Sequence, residues 1–113
     1  MKPNQRLTHS SDFIRVKNSG MSFSSPYIIL VAAINSLNHS RFAVVASRAV
    51  GLAVQRNRAK RQMRACLQAI IDSIIPGWDL IFYARQPIVN ADFLSIQKSI
   101  IEVLRSAKLI PAD

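Results

Sequence analysis

Apolar residues recur at two spacings along this chain. At about 100° per residue, Ala59, Met63, Cys66, Leu67, Ile70 and Ile74 fall on one side of a helix, which the pattern predicts over residues 54–75. Phe93, Ile96, Ile100, Val103, Leu104 and Ala107 repeat that spacing, and Asn90 is placed to cap this last helix. Residues 78–84 alternate instead, with Trp78, Leu80, Phe82 and Ala84 on one side of a strand. Residues 27–34 form an unbroken, β-branched apolar run, the mark of a strand covered on both faces. Two further strands are predicted at 21–23 and 41–48. A first helix over 9–18 has Phe13 and Val16 three apart on one face and Asp12 in its first turn. Thr8 or Ser10 can cap it, and Gly20 is expected to end it in the left-handed conformation. The order α-β-β-β-α-β-α predicts an α+β fold, a two-layer sandwich of a four-stranded sheet with the two long helices packed on it.

The chain has 113 residues, half of them apolar. That is the length of a single domain with one modest core, here read as 1–113. Charge changes the picture more than size does. Fifteen Lys and Arg face six Asp and Glu, a net +9, which calls for a polyanionic partner. The excess is also localised. No carboxylate lies between Asp12 and Asp72, while that interval holds Arg15, Lys17, Arg41, Arg48 and the stretch AVQRNRAKRQMRA at 53–65. On the helix, Arg58, Arg61 and Arg64 fan over the side opposite the apolar face, and Lys60 lies at the edge. Arg56 projects along the apolar side at the N-terminal end.

The residues for protein-based catalysis are not in place. The acids are scattered, with no pair at metal-ligand spacing on a predicted helix, and His9 and His39 stand alone in polar segments. Cys66, the one cysteine, sits on the apolar helix face with no histidine flanking it, so it reads as a buried structural thiol in a reducing compartment. Gly20, Gly51 and Gly77 make no phosphate-cradling loop. The start MKPNQRLTHSSDF lacks the apolar core of a signal peptide, and the longest apolar run has eight residues, against about 20 for a spanning helix. The expectation is a soluble, cytoplasmic binder.

Four of the five cations in 53–65 are arginine, whose planar fork grips phosphate with two hydrogen bonds and stacks on bases. Like charges four apart also repel, by roughly 0.2–0.5 kcal/mol per pair, unless a polyanion relieves them. A helix-turn-helix needs a second short helix just before this one, and the preceding residues read as strand. An isolated basic helix suits phosphates of a folded RNA better than base readout in a DNA groove. DNA and membranes are therefore not expected as partners.

These residues resemble a known family. RNRAKRQMR, preceded by Gly51-Leu52-Ala53-Val54, is similar to the RNR signature of the bacterial ribonuclease P protein component. Arg6-Leu7 followed by Asp12-Phe13 resembles that family's opening helix. Residues 42–47 resemble its third strand, and Trp78-Asp79-Leu80-Ile81-Phe82-Tyr83-Ala84-Arg85 the strand before its final helix. The resemblance implies the protein subunit of an endoribonuclease that removes the 5′ leader of precursor tRNA. It implies that a catalytic RNA subunit does the chemistry with Mg²⁺, and that a left-handed crossover surrounds the RNR helix. By position, Arg56, Asn57, Arg58, Lys60, Arg61 and Arg64 would face the catalytic RNA. Phe13, Arg15, Val16, Lys17, Val31, Val45, Ser47 and Arg48 would meet the leader. The chain departs from the family at Lys17 and Val31, where aromatics are common, and keeps one cation, Arg48, where a pair is usual. A structural RNA-binding protein, ribosomal or an assembly factor, is the alternative and would lack a substrate cleft.

Overall fold

Alternation along residues 78–84 makes a strand with two apolar faces, and such a strand belongs in the middle of a sheet. The computed structural model describes residues 1–111. Its elements are α1 (Ser10–Ser19), β1 (Met21–Ser24), β2 (Ile28–Ile34), β3 (Arg41–Val45), α2 (Ala53–Ile70), β4 (Trp78–Ala84) and α3 (Phe93–Ser106). The strands lie in the order β1-β2-β4-β3, so β4 is internal. It pairs antiparallel with β2 (Leu30 opposite Phe82) and parallel with β3 (Phe42 opposite Leu80). A parallel neighbour needs a crossover, and α2 supplies it.

The two sheet faces are covered unequally. Leu30, Phe42, Leu80 and Phe82 pack with Met63 and Leu67 of α2 and with Ile96, Ile100 and Leu104 of α3. On the opposite face, Val31, Ala33 and Ile81 pack with Leu7 and with Val16 of α1. Helix α1 is short and has one fully buried side chain, Val16. Burying it contributes about 1.5–3 kcal/mol. The rest of that face, toward Ile29, Val45 and Tyr83, stays partly open.

Several local expectations are corrected. Neither Thr8 nor Ser10 caps α1: His9 occupies the cap position and makes no side-chain cap bond. Gly20 is extended (φ −79°, ψ 160°), not left-handed. A glycine is needed there for space, since a Cβ would lie 2.4 Å from the Val16 carbonyl oxygen and 2.8 Å from Val31 Cγ1. Strand β3 stops at Val45, opposite Tyr83 near the end of β4, and residues 46–50 leave the sheet. Helix α2 ends at Ile70 rather than 75 and tightens into a 3₁₀ turn at Ile71–Ser73. Ile71 and Ile74 remain buried, so the apolar pattern outlasts the helix that it predicted. Asn90 closes a 3₁₀ turn (Gln86–Asn90), and the cap of α3 is Asp92, whose Oδ1 accepts from the Ser95 N–H at 2.8 Å. That bond holds the Asp92 carboxyl below the usual carboxylate range.

Candidate nucleic-acid interface

Helix α2 begins where Gly51 permits it. Gly51 has φ +153°, and a Cβ there would meet Gln55 Oε1 at 2.2 Å. That same oxygen accepts the Leu52 N–H at 2.8 Å, closing the helix start. Ala59, Met63, Cys66 and Leu67 are buried against the core. Desolvation pushes the Cys66 thiol up to about 11, which keeps it protonated and inert. Asn57, Arg58, Arg61 and Arg64 are exposed, while Lys60 and Arg56 are half-buried. Among the described residues, no carboxylate forms an ion pair with any of these five cations. Arg56 does turn toward the protein: its Nε is buried and has no hydrogen-bond partner. An unmet buried donor costs about 1–3 kcal/mol.

The other expected group divides. Lys17, Val31, Val45 and Ser47 come together with Ser22, Ile29 and Tyr83 around an open cleft of ≈ 340 Å³ on the α1 face of the sheet. Val31 forms floor rather than wall, with 9 % exposure. Arg48 is exposed in the turn just past Ser47. Val16 is completely buried and lies out of reach of a ligand, so it holds α1 in place. Phe13 is half-buried and lines a neighbouring cleft with Arg64. Tyr83 was missed by sequence reasoning, yet the alternation that sends Leu80 and Phe82 inward sends Tyr83 to this face. Burial raises its phenol above the ordinary value, so it presents a neutral aromatic ring. Arg85, exposed one residue past the cleft-lining Ala84, was also missed; its guanidinium donates to the Ser25 carbonyl at 2.8 Å.

Arg15 is not free for a ligand, because it is committed to Asp79, a buried carboxylate on β4. Arg41 Nε donates to Asp79 Oδ1 at 2.9 Å and its Nη2 to Oδ2 at 2.7 Å. Asn35 Nδ2 donates to Oδ1 at 3.0 Å, and Arg15 donates to Oδ2 and, through Nη1, to the Ile34 carbonyl at 2.9 Å. Asp12 sits 3.3 Å from Arg41 and 3.5 Å from Arg15. Burial alone would raise the Asp79 carboxyl, but the bonds from Arg41, Asn35 and Arg15 outweigh it and hold it below the usual range. The same contact raises Arg41 further above its normal value. The network clamps α1 onto the sheet beside the cleft. Its two carboxylates are filled by guanidinium groups, and among the described residues no three His, Cys, Asp or Glu gather as a metal set. This carboxylate pair, already neutralised by Arg15 and Arg41, therefore does not fit Mg²⁺. No helix among the described residues is long and apolar enough to cross a membrane.

The sequence matches the family described as Ribonuclease P over residues 1–108. The ribonuclease P protein component of Herpetosiphon aurantiacus is 38 % identical over 109 residues, covering 96 % of this chain and 89 % of that relative. That of Chloroflexus aurantiacus is 38 % identical over 113 residues, covering 99 % and 84 %. The structure of the Staphylococcus aureus RNase P protein superimposes with TM-score 0.85 at 30 % identity, covering 95 % of this chain and 98 % of the other. The Thermotoga maritima RNase P protein gives 0.81 at 25 % identity, covering 89 % and 96 %.

Proposed function

The chain belongs to the ribonuclease P protein family, and from that premise we propose that it binds a catalytic RNA through α2 and the 5′ leader of precursor tRNA in the Tyr83 cleft. Hydrolysis of the phosphodiester, and the Mg²⁺ it uses, belong in this reading to the RNA subunit. The observation that carries it is the set of α2 cations left, among the described residues, without carboxylate partners on a helix whose other face packs in the core through Ala59, Met63, Cys66 and Leu67. RNA phosphates supply the missing negative charge, and the counterions they release drive binding.

The two surfaces lie on opposite faces of the sheet and meet at the turn from β3 into α2, where Ser47 and Arg48 sit. One small protein can then touch two RNAs at once and screen the repulsion between them, which lowers the Mg²⁺ needed for assembly. The cleft favours this reading over a structural RNA-binding protein with no substrate site. Reconstitution with a bacterial ribonuclease P RNA and a precursor tRNA at low Mg²⁺ tests it. Leader removal should be stimulated, more for precursor with a leader of several nucleotides than for one cut short. RNA binding without stimulation would favour the structural alternative.

A further inference from the structure

The cleft that Phe13 shares with Arg64, ≈ 750 Å³, crosses the edge of the sheet. Phe42 and Val44 of its lining pack in the α2 and α3 cluster, whereas Phe13 and Ala43 pack on the α1 face in one cluster with Ile29, Val45 and Tyr83. We propose that the precursor leader, on leaving the Tyr83 cleft, passes over Phe13 and around the β3 edge, and that one of its phosphates there meets Arg6 and Arg64. The proposal rests on the reading of the Tyr83 cleft as the leader site and adds a second tract to it.

Geometry and charge both favour a single strand on this path. Strand β3 lies at the edge of the sheet. The N-terminal segment is pinned to it at Phe42, where Arg6 bridges in parallel and the Leu7 N–H donates to the Phe42 carbonyl at 2.9 Å. That pairing fixes Arg6 on the rim. Beyond it Ala43 and Val44 line the open groove, so a strand can round the edge without displacing any element of the fold. Arg6 and Arg64 are both exposed, and no carboxylate lines the groove. Among the described residues, neither is paired with a carboxylate. Two free guanidinium groups suit a phosphate. Phe13, half-buried at the crossing, offers its ring to a base. The occupant is the leader rather than the catalytic RNA because the mouth of the groove on the α1 face is Phe13, which packs with the Tyr83 cluster. Arg58 and Arg61 stay with the catalytic RNA, and Arg64 turns from that set to the leader.

Leader length gives the test. The holoenzyme is reconstituted with a bacterial ribonuclease P RNA, and binding is measured against salt for three tRNAs: mature, with a leader of a few nucleotides, and with a leader several times longer. The proteins are wild type, Arg6→Gln, Arg64→Gln and Lys98→Gln, the last removing an exposed cation of α3. With wild type, the long leader should bind more tightly than the short one and with a steeper salt dependence. Arg6→Gln and Arg64→Gln should each lower the long-leader slope by about 0.7, the value for one phosphate of a single strand. Each should weaken long-leader binding about two- to fivefold, as an exposed ion pair supplies. Short-leader binding, assembly with the RNA subunit alone and the melting of the free protein should match wild type, and Lys98→Gln should match it throughout. A long leader that binds no better than a short one would overturn the second tract while leaving the cleft reading intact. If the short leader in turn binds no better than mature tRNA, both fall. Equal losses with Lys98→Gln would reduce the effect to net charge and overturn the proposal. A loss already present with the RNA subunit alone would give the groove to the catalytic RNA and overturn it too.

Discussion

Asp79→Asn is the most informative single change, because it removes a charge and keeps the shape. Asp79 is fully buried and accepts from Arg41 twice, from Asn35 and from Arg15. Breaking a buried pair costs about 3–5 kcal/mol. Arg41 and Arg15 retain 19 % and 36 % side-chain exposure and keep Asp12 as a partner, so the low end applies, about 3 kcal/mol. With a urea m-value of about 1.5 kcal/mol/M for a small domain, the midpoint should fall by about 2 M. The pH dependence gives an independent check. The folded-state carboxyl is held below its unfolded value, near 3.9. Its stabilisation is therefore fully present above that value and is lost as pH falls from about 4 through the folded value. Wild type should weaken in that acid window more steeply than the Asn variant, and this group should cause no change between pH 5 and 8. Since Arg15 and Val16 anchor α1, leader affinity should fall as well. A midpoint shift under about 0.5 M, or equal acid sensitivity in both proteins, would refute the argument that the network holds α1.

Replacing Arg58 and Arg61 together with Ala should flatten the salt dependence of catalytic-RNA binding by roughly 1.5 units of log–log slope. The free protein should gain a few tenths of a kcal/mol as their repulsion at spacing three disappears, read by urea melts. Tyr83→Leu should weaken binding of a leader-bearing precursor by roughly 5- to 100-fold, the range that base stacking supplies. It should leave mature tRNA unaffected, as competition binding would show. Cys66, with its thiol near 11, should be about a thousandth thiolate at pH 8. A disulfide reagent should therefore react with it only in the unfolded protein, and fast labelling of the native form would contradict its burial.

Helices and strands were legible because their signals are local. The 3.6-residue spacing of Met63, Leu67, Ile96 and Ile100 and the alternation at 78–84 are each set by neighbours along the chain. Boundaries were less legible because other groups decide them. Ile74 continues the helical spacing but is buried from a non-helical backbone. Pro76 just beyond restricts the residue before it, and the Ile75 N–H goes to the Leu109 carbonyl at 3.0 Å. Asp92, not Asn90, caps α3 because a 3₁₀ turn over Gln86–Asn90, with Pro87 at its start, takes up Asn90 itself. The cationic face of α2 could be read from register alone. Tyr83 was available from the same alternation that placed Phe82, and it supplies an aromatic that Val31 and Lys17 do not. The Asp79 network could not be read at all, because it joins residues 12, 15, 35, 41 and 79 through the sheet order.

That network revises the meaning of the charge pattern itself. The acid-free interval from Asp12 to Asp72 suggested one continuous cationic field, but distance along the chain is a poor guide to distance in space. Strand β4 lies beside β3 and β2, which brings Asp79 into the middle of that interval, where together with Asp12 it neutralises Arg15 and Arg41. What remains is the block on α2, with Lys17 and Arg48 beside the Tyr83 cleft. Two kinds of arginine then make opposite predictions. Substitution at Arg41 should lower stability and leave the salt slope of RNA binding unchanged, since its charge is spent inside the protein. Substitution at Arg61 should lower the slope and leave stability intact. If Arg41→Met changed the slope as much as Arg61→Ala, the division between internal and RNA-facing cations would be wrong.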